Sequence, residues 1–169
     1  MMNSFEHFDP LSRIWVYEST RLLTPSEVLI MSDKVIQFTD QWTAHQQLLK
    51  AGFEIRNNLF LIFCVDEKSA AASGCSIDKS LHIVQQLEKD YNMSLLNRMM
   101  SAYKVGEEVI PFNLKDLNQF FSDGVITSHT LVFDNLVNTL ADLNNKWMIP
   151  LNQSWMMQMM KPVEKVNNT

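Results

Sequence analysis

The fold is decided by the apolar run Leu59-Phe60-Leu61-Ile62-Phe63-Cys64-Val65, which closes on Asp66. A strand with one solvent face alternates apolar and polar residues, whereas an unbroken apolar strand is covered on both faces. The run therefore predicts a buried central strand. Asn57-Asn58 stands just before it, and asparagine tolerates the positive φ angles of a two-residue hairpin turn. Phe53 and Ile55 alternate with charged residues on the other side of that turn, so we expect a hairpin.

Downstream, the central strand leads into a second helix over about residues 77–91. The connection is the 73–78 loop, Ser73-Gly74-Cys75-Ser76-Ile77-Asp78, in which we interpret Ser76 as the N-cap. Inward-facing apolar residues then recur at helical spacing: Ile77, Leu81, Val84, Leu87 and Tyr91.

Upstream, residues 13–20 predict a first strand, and Thr24-Pro25-Ser26-Glu27 predicts a helix start. Thr24 can cap the helix, Pro25 fits its first position, and Glu27 completes a capping box. We expect this helix to end near His45, whose charge would satisfy its last carbonyls.

After the second helix, the pattern predicts a hairpin from residues 98–103 and 107–112, turning near Val105-Gly106. A short helix capped by Asn113, a strand over residues 130–133 and a helix over about residues 135–145 follow. A tail rich in Trp and Met, residues 147–160, completes the chain before its last residues.

This order predicts an α+β fold with an antiparallel or mixed sheet and helices packed mainly on one face. Its start resembles a split β-α-β-β-α-β arrangement, and the remaining elements form a C-terminal extension. We predict one domain over residues 11–160, with flexible ends at residues 1–10 and 161–169.

The bulk composition excludes several classes of protein. Hydrophobic residues make up 46% of the chain and the formal net charge is −5, which argues against nucleic-acid binding and against docking on anionic lipid. No apolar run reaches the roughly 20 residues of a membrane span, and the first ten residues do not resemble a signal peptide. The only cysteines, Cys64 and Cys75, predict free thiols and a cytoplasmic location.

The 73–78 loop is the most distinctive candidate site. Helix N-termini attract anions and lower thiol pKa values, so Cys75 is a candidate nucleophile, with His45 or Asp78 as its partner. Ser73, Gly74 and Ser76 are candidate ligand-binding residues for a small anion. The competing interpretation is a structural turn in which Ser76 is an N-cap and Cys75 a small buried residue, and local caps are far commoner than active thiols.

Other chemistries have weaker support. A phosphate loop needs glycines where Ser73 and Asp78 stand, and no pair of His or Cys residues has zinc-ligand spacing. Glu54, Asp66 and Asp78 are candidates for Mg²⁺ binding or acid–base work, against the simpler interpretation that they are solvent-facing or helix-start charges. We therefore predict no cofactor and no metal.

Several stretches resemble a family of small uncharacterised proteins from Bacteroidetes, over about residues 11–156. They are Arg13-Ile14-Trp15-Val16-Tyr17, Trp42-Thr43-Ala44-His45, Val65-Asp66, residues 72–80 and Asn135-Leu136-Val137. The resemblance implies a cytoplasmic bacterial protein. Some family members carry a label as ABC-transporter ATPases, but this chain lacks the phosphate loop and the Leu-Ser-Gly-Gly-Gln signature.

No complete catalytic constellation is present, which favours a non-enzymatic intracellular binding or interaction domain. The tail contains Trp155, Met156, Met157, Met159 and Met160, and such adaptable side chains suit a homo-oligomer or a protein partner. The equal alternative is that the tail packs on its own domain. A thiol-dependent enzyme or redox protein using Cys75, and a small-anion binder at the 73–78 loop, are the two rival functions.

Overall fold

A computed structural model describes residues 5–160. Short 3-10 turns apart, its strands and helices are β1 (Arg13–Glu18), α1 (Pro25–Thr39), β2 (Thr43–Ala44), β3 (Gln47–Leu48), β4 (Lys50–Arg56), β5 (Phe60–Asp66), α2 (Gly74–Tyr91), β6 (Met100–Val105), β7 (Glu108–Asn113), α3 (Leu117–Ser122), β8 (Leu131–Phe133), α4 (Leu140–Lys146), β9 (Met148–Pro150) and α5 (Met156–Met159). The predicted α+β class with antiparallel strands is confirmed.

The apolar run forms β5, the middle strand of a three-stranded sheet with the order β1-β5-β4. Every residue of β5 is buried, as the unbroken apolar pattern predicts. Asn57 and Asn58 have φ angles of 54° and 51°, so the hairpin turn between β4 and β5 is confirmed. Both neighbours of β5 run antiparallel to it.

Helices α1 and α2 cover one face of this sheet, where Met31, Val35, Phe63, Val84 and Leu87 form a buried cluster. The capping box at the start of α1 is confirmed: Glu27 N–H donates to Thr24 Oγ1, and the Glu27 carboxylate accepts from Thr24 N–H. The helix therefore begins where local hydrogen bonding predicts.

The other end of α1 corrects the prediction for His45. The helix stops at Thr39, and His45 lies in the turn of a small β2–β3 hairpin. His45 and Gln46 have φ angles of 50° and 66°. Neither is among the residues that dominate turns, so no local signal predicts this hairpin.

Helix α2 begins earlier than predicted, and its N-cap is Ser73 rather than Ser76. Ser76 N–H donates to Ser73 Oγ, while Ser76 Oγ accepts from Ser73 N–H at 2.7 Å. A serine at the third helical position thus completes the reciprocal pattern usually made by Glu or Gln.

A second, four-stranded antiparallel sheet has the order β7-β6-β8-β9. The predicted split β-α-β-β-α-β arrangement is therefore limited to its first three strands, β1, β4 and β5. Its fourth strand, β6, belongs to the second sheet instead. The outer edge of β1 is occupied at its start, where Ile14 N–H donates to Asn138 O and Arg13 bridges Thr139. Among the described strands, β5 is the one that pairs with β1.

The second sheet and α4 cover the opposite face of the first sheet. Ile14, Phe60 and Ile62 pack there against Phe133 and Trp147 in a second buried cluster. Thr139 caps α4, which begins at Leu140 rather than at residue 135, because residues 134–138 form a turn and an edge contact with β1.

The Trp- and Met-rich tail contributes to the core of its own domain. Leu151 and Met156 are fully buried in a third cluster with Tyr103, Phe112 and Ile126, whereas Met157 and Met159 are exposed. A protein partner or homo-oligomer through this tail stays a prediction.

The predicted flexible ends are described in part. Phe5, within the N-terminal end, is buried, and its N–H donates to Glu54 Oε1. Residues 1–4 and 161–169 lie outside the described part of the chain. Within residues 5–160, no helix combines the length and the apolar character needed to cross a bilayer.

Candidate functional site

The 73–78 loop is a closed helix cap at the start of α2. The side chains of Ser73 and Ser76 hydrogen-bond to each other's backbone N–H groups, and Ser76 Oγ also donates to Ser73 O at 2.8 Å. Ser76 O in turn accepts from the indole of Trp42. Two of the three candidate ligand-binding residues thus use their side chains locally, and Gly74 has none.

The candidate catalytic residues are exposed and separate. Cys75 and Asp78 lie on the first turns of α2, and His45 lies in the β2–β3 turn. Among residues 5–160, no hydrogen bond or ion pair joins any two of them. Thiol chemistry at Cys75 therefore stays a prediction. The alternative that Cys75 is a buried residue is wrong, because its side chain is exposed on the first turn of α2.

The candidate carboxylates are also apart. Asp66 pairs with Lys50 at 2.8 Å and Glu54 with Arg56 at 2.6 Å, while Asp78 is exposed on α2. In the described part of the chain, no three His, Cys, Asp or Glu side chains are grouped to hold a metal ion.

A different site lies on the opposite side of the first sheet. It is a cleft of about 490 Å³ between the β4–β5 turn, the β6–β7 hairpin and the end of α4. Its walls carry two cationic side chains and three amides, and its floor consists of apolar and aromatic side chains. The residues that line it include Arg56, Asn57, Lys104, Glu107, Phe133, Asn144, Asn145, Trp147 and Met148.

Arg56 ends β4 and is held at the cleft by three contacts. Its Nε donates to Glu54 Oε2 at 2.6 Å, and its guanidinium lies 5.5 Å from the ring centroid of Trp147 and 6.0 Å from that of Phe5. Its two terminal Nη nitrogens have no hydrogen-bond partner among residues 5–160. These nitrogens carry N–H groups of the kind with which arginine binds carboxylate or phosphate oxygens.

Lys104 supplies the second cation from the end of β6. Its Nζ lies 3.5 Å from Glu107 Oε2, and the Glu107 side chain is 98% exposed. An ion pair of this length with a fully hydrated partner holds the lysine only weakly. The Lys104 ammonium is therefore available to an incoming anion.

The floor of the cleft is rigid. The Trp147 ring centroid lies 4.9 Å from that of Phe60 and 4.8 Å from that of Phe133, both in edge-on geometry. Trp147 is 6% exposed, and its indole N–H donates to Asn135 Oδ1 at 3.1 Å. Packing and this hydrogen bond fix the orientation of the ring.

Behind the floor lies a buried acid, Glu18, at the end of β1. It is 5% exposed; its Oε2 accepts from Asn135 Nδ2 at 2.5 Å, and its Oε1 is buried with no hydrogen-bond partner among residues 5–160. Burial raises the pKa of Glu18 to about 8, and the hydrogen bond from Asn135 opposes that rise only in part.

A second cleft of about 490 Å³ adjoins the first and shares Asn57, Glu107 and Val109 with it. Its other lining residues carry no positive charge: they are Leu22, Asn58, Glu108, Ile110 and Pro111. The cationic groups are thus confined to the first cleft.

Sequence reasoning missed the cleft because its walls come from three distant parts of the chain. The sequence pattern places Arg56 at the polar position of an alternating strand, and it places Trp147 in a tail for which packing against the sheet of its own domain is one of two alternatives. One signal was available: Glu18 interrupts the apolar face of β1 that Ile14 and Val16 begin, and a buried acid often marks a functional region.

Comparison of the chain with protein-family models, curated proteins and solved structures gives no match. The resemblance to the Bacteroidetes family stays a prediction.

Proposed function

We propose that the chain is a non-enzymatic binding protein whose ligand is a small anion with a planar apolar part, held in the Arg56–Lys104–Trp147 cleft. The observation that carries this proposal is the pair of unpaired Nη donors on Arg56 directly beside a fixed indole ring. The cleft has the volume of small-molecule sites in general.

Each wall of the cleft favours a different part of such a ligand. Arg56 offers two parallel N–H donors to a carboxylate, phosphate or sulfonate, and Lys104 adds a mobile positive charge. Asn57 and Asn144, both exposed at the rim, offer further donors. Trp147 and Met148 offer an apolar surface to a ring.

Binding is favoured over catalysis by the chemistry of the lining. Among the described residues that line the cleft, Glu107 is the single carboxylate and no histidine or cysteine is present; the Glu107 side chain is exposed to solvent and lies beside a lysine. General acid–base or nucleophilic catalysis needs a nucleophile and a base within hydrogen-bond reach of each other. The lining offers recognition groups without such a pair.

The test uses three probes that separate the charge from the ring: naphthalenesulfonate carries both, methanesulfonate only the charge, and naphthylmethanol only the ring. Calorimetry and thermal unfolding are measured with each probe. We expect naphthalenesulfonate to bind most tightly and to raise the unfolding temperature, since a ligand that binds only the folded state stabilises it.

Three variants assign the binding to the cleft. Arg56→Lys keeps the charge and loses the two-pronged donor, Lys104→Gln removes the second charge, and Lys115→Gln is the matched control at an exposed lysine outside the cleft. We expect the first two to weaken naphthalenesulfonate binding by about tenfold each and the control to leave it unchanged. Equal binding by all four proteins would overturn the proposal.

We further propose a cytoplasmic location, supported by the two unpaired thiols of Cys64 and Cys75. The result that would overturn it is an oxidised Cys75 in protein isolated with its native thiols trapped by alkylation.

A further inference from the structure

We propose that anion binding in the cleft is regulated by a proton on Glu18, which acts on the cleft through Asn135 and Trp147. This regulation rests on the proposed function of the same cleft. Neither Glu18 nor Asn135 lines the cleft, so both residues would act on a bound anion indirectly.

The strand register places Glu18 directly behind the cleft. Glu18 pairs with Phe60 across β1 and β5, on the sheet face that Ile14 and Val16 also occupy. Phe60 packs against Trp147, the floor of the cleft. The carboxyl group is therefore sealed between the first sheet and the residues that follow β8.

A chain of two hydrogen bonds joins this acid to the cleft floor. The Trp147 indole N–H donates to Asn135 Oδ1 at 3.1 Å, and Asn135 Nδ2 donates to Glu18 Oε2 at 2.5 Å. Because an indole can only donate, the Asn135 amide has one orientation, with its NH₂ towards Glu18. Any change at the carboxyl group is thus transmitted to the indole through a single amide.

The surroundings of the Glu18 carboxyl group disfavour its ionised form. Its Oε1 is buried and has no hydrogen-bond partner in the described part of the chain, and an ionised carboxylate in such a place is costly. Burial raises the pKa of Glu18 to about 8. The acid is therefore neutral below that pH and ionised above it, within a range that the folded protein meets in ordinary buffers.

The charged groups of the elements packed against this face do not compensate an ionised Glu18. On β4, Arg56 and Glu54 pair with each other. After β8, Asp134 accepts from the Trp155 indole, and on α4 Lys146 pairs with Asp142. On β6, Lys104 lies 3.5 Å from Glu107, and among residues 5–160 neither Lys104 nor Arg56 forms an ion pair with Glu18.

Two effects then link the proton to the ligand. An ionised Glu18 places a negative charge behind the floor and repels an anion in the cleft. It also attracts the Asn135 NH₂ more strongly than a neutral acid does, which draws the amide away from the indole. Since such coupling is reciprocal, a bound anion favours the protonated form of Glu18, and affinity falls as the pH rises through about 8.

The first experiment needs no ligand. The indole N–H resonance of Trp147, assigned by its loss in Trp147→Phe, is followed by NMR from about pH 6.5 to about pH 9.5. We expect it to titrate in the wild type and to stay constant in Glu18→Gln. The Trp155 indole, which donates to Asp134 instead, is the internal control and should not follow the same curve.

The second experiment measures naphthalenesulfonate affinity over the same pH range, because a sulfonate keeps its charge throughout. We expect a fall of about five- to tenfold in the wild type. Glu18→Gln should keep the high affinity at every pH. Asn135→Leu, which leaves Glu18 in place and breaks the hydrogen-bond chain, is a second variant and should lose the titration of the Trp147 indole.

The outcomes separate the two proposals. If naphthalenesulfonate binds with the same pH profile in wild type and Glu18→Gln, or if the Trp147 resonance does not titrate, the regulation is overturned while the binding function stands. If naphthalenesulfonate does not bind in the cleft at any pH, the proposed function itself is overturned.

Discussion

The 73–78 loop and the Arg56–Lys104–Trp147 cleft differ in what their polar groups do. In the loop, the side chains and backbone N–H groups of Ser73 and Ser76 hydrogen-bond to one another within four residues of sequence. In the cleft, among residues 5–160, the two Nη nitrogens of Arg56 have no hydrogen-bond partner, and a buried acid behind the floor has one oxygen without a partner. The distinctive motif of the 73–78 loop is thus a helix cap. The cleft, whose polar groups come from distant parts of the chain and keep free hydrogen-bonding atoms, is the better candidate for a binding site.

The largest contrast between the two regions should come from removing one side chain in each. We expect Trp147→Ala to lower the free energy of unfolding by about 3–5 kcal/mol, because the ring fills the space between Phe60 and Phe133. Cys75→Ala, at an exposed position, should change it by less than about 0.5 kcal/mol. Urea unfolding followed by circular dichroism measures both, and similar values for the two variants would contradict the comparison.

The next largest effect concerns Glu18 and depends on pH. The folded state holds this proton more tightly than the unfolded chain, whose glutamate pKa is near its ordinary 4.5. Stability from this group is therefore greatest below about pH 4.5 and is lost as the pH rises to about 8.

Glu18→Gln removes that loss while keeping an acceptor for Asn135. We expect it to match the wild type near about pH 5 and to be more stable by about 2–4 kcal/mol near about pH 9. Thermal or urea unfolding over this pH range measures the difference. A constant difference between the two proteins would show that Glu18 is already ionised at low pH.

A smaller effect tests the corrected helix start. Ser73→Ala removes the acceptor for Ser76 N–H and should cost about 1 kcal/mol, as loss of an N-cap usually does. Thr24→Ala, at the cap of α1, is the matched control and should cost a similar amount. Unchanged stability in Ser73→Ala would mean that the cap does not hold the loop.

The smallest perturbation is chemical labelling of the two thiols. Burial raises the pKa of the Cys64 thiol to about 12, whereas Cys75 is exposed. Iodoacetamide should therefore label Cys75 alone in the native protein and both cysteines after unfolding, as read by peptide mass spectrometry. Equal native labelling would place Cys64 outside the core.

Local signals in the sequence predicted local structure well. The buried strand β5, the Asn57-Asn58 turn and the Thr24 capping box each depend on neighbouring residues, and each is confirmed. The β2–β3 hairpin was missed because His45 and Gln46 are unusual turn residues.

Long-range structure was beyond such signals. β6 belongs to a second sheet, and residues 138–139, which are distant in sequence, contact the start of the outer edge of β1. The cleft needs that second sheet, so neither its lining nor the burial of Glu18 could be worked out from neighbouring residues. Asn135 was singled out in the sequence as part of a resemblance, and its contacts to Glu18 and Trp147 emerge only in the fold.

The central claim is that ligand recognition belongs to the cleft rather than to the 73–78 loop. The most direct test is an amide and indole NMR map of the protein titrated with naphthalenesulfonate. We expect the resonances of Asn57, Asn144 and the Trp147 indole to shift with ligand concentration and those of residues 73–78 to stay unchanged. Shifts confined to residues 73–78, with the cleft unchanged, would contradict it.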